Sequence, residues 1–277
     1  MFIFYSLTKD KKTMMKIKPA VLITGASSGI GAVYAQRFAK RGHDLVLVAR
    51  NRSRLDALAL DLQTQYGVQV DILPADLSQP GDVESVAQRL REDERISILI
   101  NNAGMSLSGS FTTQSSAEIN ALIAVNLSAV VTLAHAIAPR LAAAKTGAIV
   151  NLSSVVGLAP ELGMTIYGAT KAFVLFLSQG LSVELGAQGV YVQAVLPAAT
   201  RTEIWERSGG DINTMQGVME VGELVDAALE GFDRREPVTI PPLHNEQQWM
   251  SYNQARQSML PEFGQEHPAA RYLTKAE

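Results

Sequence analysis

Tyr167 and Lys171 stand four residues apart at the head of an apolar run, Ala169 to Leu185. If that run is a helix, phenol and ammonium share one face of its first turns. A free phenol titrates near ~10 and is a poor proton donor or base at neutral pH, but a nearby cation favours phenolate and pulls the value down. A fall of two or three units corresponds to roughly 3–4 kcal/mol. Lysine stays protonated and can also donate hydrogen bonds to a bound ligand. Tyr167 is therefore a candidate general acid/base, with Lys171 expected to lower its pKa. Tyr and Lys at this spacing are equally an ordinary amphipathic face, so the reading depends on what accompanies them. Upstream, in order, come the glycine turn Thr24-Gly25-Ala26-Ser27-Ser28-Gly29-Ile30-Gly31, then Asn101-Asn102-Ala103-Gly104, Asn126 and Ser153-Ser154.

The elements that would position these groups can be read from the hydrophobic pattern. Ala20-Val21-Leu22-Ile23 is wholly apolar and ends in the glycine turn, as a strand buried on both faces of a parallel sheet reads. The turn opens a helix, Ile30 to Arg41. Glycines permit close backbone approach, and the free N–H groups of a helix start attract phosphate oxygens, so Gly25, Ser27, Ser28, Gly29, Ile30 and Gly31 form a candidate pyrophosphate site. No Gly-Lys-Ser/Thr follows, which excludes a nucleotide triphosphatase loop. A second strand, Asp44 to Val48, ends in Ala49-Arg50. An acid there would bind the ribose hydroxyl of NAD, whereas an arginine suits the 2′-phosphate of NADP. Arg50 thus favours NADP over NAD, unless Arg50, Arg52 and Arg54 are only the charged face of the helix Arg52 to Tyr66. Further strands are expected at Val68–Leu73, Ile96–Ile100, Ala148–Leu152, Val190–Leu196 and Pro237–Ile240. Asn102, Ala103 and Gly104 offer small and amide side chains for a cofactor wall. The run Ala121 to Ala138 is apolar enough to suggest a membrane span, but Asn126, Ser128, Thr132 and His135 interrupt it as in a buried helix. His135 is read as a core or surface histidine.

Taken together, TGASSGIG, NNAG, Asn126, Ser154 and YGATK resemble the short-chain dehydrogenase/reductase family from about Ala20 to Val238. The stretch from Tyr167 to Pro197 is most similar to the branch of 3-oxoacyl-thioester and 17β-hydroxysteroid reductases. The resemblance implies a doubly wound parallel seven-stranded Rossmann-type α/β sheet with helices on both faces. It also implies hydride transfer between nicotinamide and a carbonyl or alcohol, with Ser154, Tyr167 and Lys171 as the catalytic set. Asn126 would support a water-linked proton relay behind Lys171, which would also hold the nicotinamide ribose. Asp76 and Leu77 would border the adenine, with Asp76 also able to cap a helix Pro80 to Arg91. Pro197 and Thr202 would meet the nicotinamide amide. Ala198 replaces the usual glycine, a departure that matters only if φ must be positive there. A homodimer or homotetramer through helices beginning near Ser115 and Gly168 is implied in the same way.

The 277 residues, 47% hydrophobic and 18% charged, are read as one domain, 19–277. It carries a lid at about 203–219, including Trp205 and Gly209-Gly210, and a C-terminal extension at about 241–277. Residues 1–18 read as an N-terminal extension lacking the charge order of a secretory signal, with Met14-Met15 as an alternative start. A net charge of −3 offers no broad basic surface, so neither nucleic acid nor an anionic membrane is an expected partner. With no cysteine and four scattered histidines, no metal is expected. A cytoplasmic NADP(H)-dependent oxidoreductase acting on a small, hydrophobic carbonyl or alcohol is the reading these features favour. The alternative is a non-catalytic NADP(H) sensor or scaffold, which has no need of Ser154, Tyr167 and Lys171. Nucleotide-sugar epimerases normally carry a longer substrate domain, and an acyl hydrolase would require a nucleophile elbow that Ser154 lacks.

Overall fold

Short apolar runs that end in glycine or small polar residues form the strands of a single parallel sheet. In the computed structural model, which describes residues 18–107, 109–207 and 211–273, they are β1 (Ala20–Thr24), β2 (Leu45–Ala49), β3 (Val70–Pro74), β4 (Ile96–Asn101), β5 (Ala148–Leu152), β6 (Tyr191–Val195) and β7 (Val238–Thr239). Their order is β3-β2-β1-β4-β5-β6-β7, all parallel. This is the doubly wound Rossmann-type α/β fold. Met14-Met15 and Gly209-Gly210 lie outside the described residues, as does all of the N-terminal extension except Lys18.

The helices connect the strands and bury them on both faces. They are α1 (Gly29–Lys40), α2 (Arg52–Tyr66), α3 (Pro80–Glu92), α4 (Ser116–Ile123), α5 (Val130–Ala144), α6 (Thr165–Gly186), α7 (Ile204–Arg207), α8 (Val221–Asp233) and α9 (Glu246–Ser258). Alternation along β1 shows the layering. Val21 and Ile23 join a core with Tyr34, Phe38, Leu55 and Val225, while Ala20 and Leu22 join another with Val86, Leu90, Leu133 and Ile137. Because both faces are covered, every residue of β1, β2, β5 and β6 is buried.

One element departs from expectation. The run expected as one helix, Ala121 to Ala138, is part of a longer stretch from Ser116 to Ala144. A π-helical turn, Ala124–Ala129, interrupts it and brings Asn126 inward. Ser116–Ala144 and Thr165–Gly186 could each cross a membrane by length and composition, but 50% and 33% of their most apolar windows are buried within the protein. The chain also divides into two compact units, the second being Pro242–Glu277. In that unit Asn245 caps α9 by accepting from Gln247 N at 3.1 Å, and Trp249 stacks on Tyr252.

His43, at the entry to β2, gives stability a pH dependence. Its ring meets Phe38 edge-on at 5.4 Å, and its Nδ1 lies 2.7 Å from the Pro19 carbonyl oxygen. Burial pulls its pKa below the ordinary imidazole value despite that bond. As pH falls the unfolded chain therefore takes up the proton first, so stability is lost from about pH 6.5 downward until the folded imidazole also titrates. His43→Gln is expected to flatten Tm between about pH 7 and 5. An unchanged slope would remove His43 from the acid response.

Candidate active site

The strand order reverses between β1 and β4, and crevices at the carboxyl ends of such strands hold ligands in open α/β sheets. A cavity of about 660 Å³ occupies this position. At one end Gly25 and Gly29 take left-handed backbone conformations, with φ 66° and 55°. A Cβ on Gly31 would fall against the Gly25 carbonyl and 2.5 Å from Asn102 Nδ2, so this glycine lets α1 pack onto the turn. No side chain caps α1, and its first turn has no acid. Ser28, Gly29 and Ile30 line the cavity, presenting a helix N-terminus that suits a phosphate. Thr24 staples the opposite wall, because its buried hydroxyl accepts from both Asn102 N and Ala103 N at 3.0 Å.

Arg50 follows the last residue of β2 at the cavity rim and is exposed. Among the described residues it makes no hydrogen bond or ion pair, whereas Arg54 binds both Glu203 carboxylate oxygens at 3.0 and 2.8 Å, and Arg52 faces Asp56. The helix start and this cation are chemically suited to a dinucleotide bearing phosphates. Leu77 is buried in the core. Asp76 is half-buried and accepts from Ser78 N and the Ser78 hydroxyl at 3.0 and 2.8 Å. Its burial favours the acid, but the Ser78 bonds and the charge of Arg50 outweigh that, so its pKa lies below the usual carboxylate value. The alternative of Asp76 as cap of the helix at Pro80 fails, because Gln79 is the N-cap and Asp76 is spent on its own turn.

At the other end of the cavity, β5 runs into Ser153-Ser154. Ser153 N donates to Val195 O and its hydroxyl donates to Lys171 O at 2.7 Å, docking α6 on the sheet. Ser154 Oγ donates to Pro197 O and accepts from Val156 N, both at 3.2 Å, and its hydroxyl is close enough to the Tyr167 phenol to favour the phenolate. The turn Val155–Gly157 packs directly on α6, since a Cβ on Gly157 would lie 2.7 Å from Ala172 N. That contact brings Ser154 and Tyr167 together. The Lys171 Nζ donates to Leu152 O at 2.7 Å and lies 5.6 Å from the centre of the Tyr167 ring.

The electrostatics correct one expectation. Burial pushes the Tyr167 phenol up to about 12, against the opposing effect of the Ser154 hydroxyl, and burial alone brings Lys171 down to about 8. Lys171 does not lower the phenol's pKa below its ordinary value here. The cost of burying a phenolate dominates, and the ammonium is directed at a backbone carbonyl instead of the phenolic oxygen. At neutral pH the phenol is protonated, which is the form a proton donor needs.

The cavity brings together Gly25, Ser28, Gly29, Ile30, Arg50, Asn102, Ala103, Gly104, Ser154, Tyr167, Lys171, Pro197 and Thr202. Ser27, Gly31, Asp76, Leu77 and Asn126 do not line it. Asn126 sits just behind, for a Cβ on Gly104 would lie 3.6 Å from both Asn126 Oδ1 and Lys171 Nζ. Ala198 has no positive φ, so replacing the usual glycine costs nothing in backbone strain. Beyond Thr202, Ile204, Trp205 and Met215 line the cavity, and the Trp205 indole donates to Thr200 O at 2.9 Å. Sequence reasoning missed Thr24 and Ser153 as staples. It also missed the buried chain in which Asn101 Nδ2 donates to Asn151 Oδ1 at 2.9 Å and Asn151 Nδ2 to Ser178 Oγ at 3.0 Å. Polar residues ending or interrupting apolar strands were the available signal.

A family model described as short chain dehydrogenase matches residues 19–213. A solved short-chain dehydrogenase from Sphingobium yanoikuyae, in complex with NADPH, is 63% identical with a TM-score of 0.91, covering 92% of this chain and 100% of that one. The bulky-bulky ketone specific alcohol dehydrogenase from Comamonas testosteroni is 57% identical with a TM-score of 0.87, covering 93% of this chain and 100% of that one. The very-long-chain 3-oxoacyl-CoA reductase of Anas platyrhynchos is 34% identical over 190 residues, 66% of this chain. The chain spans 60% of the length of that curated relative.

Proposed function

The chain belongs to the short-chain dehydrogenase family, and from that premise we propose that it is an NADP(H)-dependent oxidoreductase interconverting a bulky apolar ketone and its secondary alcohol. One observation carries this reading: the Ser154 hydroxyl, Tyr167 phenol and Lys171 ammonium converge on a cavity whose far end is an uncapped helix start with Arg50 at its rim. The preference for NADP rests on Arg50 and on the NADPH held by the Sphingobium protein. The substrate class is supported by the apolar lining from Val155, Val156, Leu162, Met164, Trp205 and Met215, and by the ketones named for the Comamonas enzyme.

The turn Gly25 to Gly31 would hold the pyrophosphate, Arg50 the 2′-phosphate, and Asn102 to Gly104 with Pro197 and Thr202 the nicotinamide half. When bound, the nicotinamide supplies or accepts a hydride. Ser154 and Tyr167 orient the substrate oxygen by hydrogen bonds. In the reductive direction the phenol then donates its proton to that oxygen as negative charge develops on it. Ser154 and Lys171 stabilise the resulting phenolate, and Asn126 supports the path that returns a proton. Trp205, its indole fixed on Thr200 O, shields the apolar side from water. A sensor of the same fold would have no use for a Ser154 hydroxyl set beside the Tyr167 phenol in the cavity.

Fluorescence titration with NADPH and NADH tests the reading, followed by consumption of the preferred cofactor with ketones, quinones and 3-oxoacyl thioesters. Tighter NADPH binding with turnover of bulky ketones is expected, and absence of binding to both nucleotides would end the proposal.

We also propose that the chain assembles with copies of itself through α6. Phe173, Phe176 and Val183 share a helical face and are 39%, 78% and 80% exposed. Phe176→Glu is expected to shift the protein to a smaller species in light scattering at unchanged helicity. A wild-type monomer would contradict this.

A further inference from the structure

Asn126 and Tyr167 are not in contact, yet one hydroxyl joins them. Asn126 is 1% exposed within the π turn, and its side chain is fully directed. Its Oδ1 accepts from Met105 N at 2.8 Å, and its Nδ2 donates to Met105 O at 2.9 Å and to Thr170 Oγ1 at 3.1 Å. Thr170, 3% exposed, donates in turn to Tyr167 O at 2.7 Å. A helical threonine often bonds back to a carbonyl three or four residues earlier, so that last bond alone signifies little. What sets Thr170 apart is that its hydroxyl is also the acceptor for a buried amide on a different helix. One oxygen therefore has both roles filled, and the direction of the chain is settled: amide to hydroxyl to carbonyl.

This chain reaches into the cofactor wall. Asn126 clamps both polar backbone groups of Met105, and three residues earlier Thr24 staples Asn102 N. The loop 102–105, the π turn and the first turns of α6 are thereby tied together through the buried side chains of Asn126 and Thr170. Gly104 sets this unit beside Lys171, since a Cβ there would lie 3.6 Å from both Lys171 Nζ and Asn126 Oδ1. A proton donor must be held within a fraction of an ångström of its acceptor to be effective. We propose that Thr170 is a positioning residue of the reaction: through Asn126 it sets the placement of Tyr167 relative to the loop 102–105. This rests on the oxidoreductase reading above.

Thr170→Val keeps the shape and removes the hydroxyl, leaving the Asn126 amide with Met105 O as its one remaining acceptor. Thr170→Ser keeps the hydroxyl. With a bulky ketone and NADPH, Thr170→Val is expected to lower kcat by about tenfold or more, and Thr170→Ser by less than about threefold. Both should leave the NADPH Kd within about threefold of wild type. A second readout needs no turnover. With 13C-labelled tyrosine, the Tyr167 resonance, assigned by its loss in Tyr167→Phe, should move in Thr170→Val and stay in place in Thr170→Ser. If Thr170→Val does not fold, Thr170→Ala against Thr170→Ser makes the same comparison.

Equal losses in the valine and serine variants would assign the effect to packing of the methyl group and overturn the proposal. So would a valine variant with wild-type kcat and an unmoved resonance. Should the wild type reduce no carbonyl at all while the resonance moves only in Thr170→Val, the positioning role stands and the oxidoreductase reading falls.

Discussion

Tyr167→Phe is expected to reduce kcat by about 10²–10⁴ while leaving the NADPH Kd within about threefold, because the substitution deletes a single oxygen that the cofactor end of the cavity does not use. The other hydroxyl at the site, Ser154, cannot replace it, since it has no cation or base to stabilise its alkoxide and is engaged with Pro197 O. Lys171 cannot replace it either, as its ammonium is held on Leu152 O. Loss of one phenolic hydroxyl should cost only about 1 kcal/mol of stability, so a folded but inactive protein is the outcome to look for. The pH profile adds a sign. With Tyr167 at about 12 and Lys171 at about 8, acid and cation are both protonated at pH 7, and ketone reduction should hold steady up to about pH 8. Above it, Lys171 loses its proton, the developing phenolate loses its cation, and the reductive rate should fall. Stopped-flow measurement of NADPH consumption from pH 6 to 10 checks both statements. Substantial turnover by Tyr167→Phe would remove the phenol from the mechanism.

That the phenol's pKa goes up and not down shows where linear reasoning stops. The spacing of Tyr167 and Lys171 does place them together at the head of α6, which begins at Thr165. What spacing does not contain is the solvent each group loses. That loss depends on the turn Val155–Gly157, brought against α6 only because Gly157 and Gly168 have no side chains. The strands were legible for a related reason: burial on both faces demands apolar runs, and Ala20 to Ile23 or Leu45 to Ala49 have no other convincing use. The end of β7 was not, since only Val238 and Thr239 pair with β6 of the four residues expected. The π turn was invisible because a helix with one extra residue in a turn has nearly the same composition as a helix without it. Staples such as Thr24 to Asn102, or Asn126 to Thr170, link residues 78 and 44 positions apart. Only the folded sheet and its covering helices bring them to hydrogen-bond distance. The glycine turn, Asn101–Gly104 and Ser153-Ser154 were readable because each lies at a strand end, where the backbone must turn and the chemistry is local.

Arg50→Asp is expected to invert the cofactor preference, and the surroundings of Arg50 say why a single substitution should suffice. Three arginines stand at positions 50, 52 and 54, yet they are not equivalent. Arg54 is committed to Glu203 and Arg52 faces Asp56, whereas Arg50 has no such partner among the described residues and lines the cavity. A guanidinium on a phosphate makes charge-assisted bonds, and at an exposed site their loss should weaken NADPH binding by about 10–100-fold. An aspartate in its place repels the 2′-phosphate and offers an acceptor to the ribose hydroxyls of NADH, so the ratio of the two affinities should move by roughly 10²–10³. Arg54→Met is the control, because a cation already neutralised by Glu203 should change that ratio little. Salt supplies an independent reading: wild-type NADPH affinity should fall with ionic strength, and the slope should be shallower in Arg50→Asp. If the ratio is unchanged in Arg50→Asp but moves in Arg54→Met, the phosphate is recognised through Arg54. The Glu203 pair would then have to open for the cofactor to bind. If neither variant moves it, neither arginine reads the 2′-phosphate, and the NADP preference loses the residue on which it was argued.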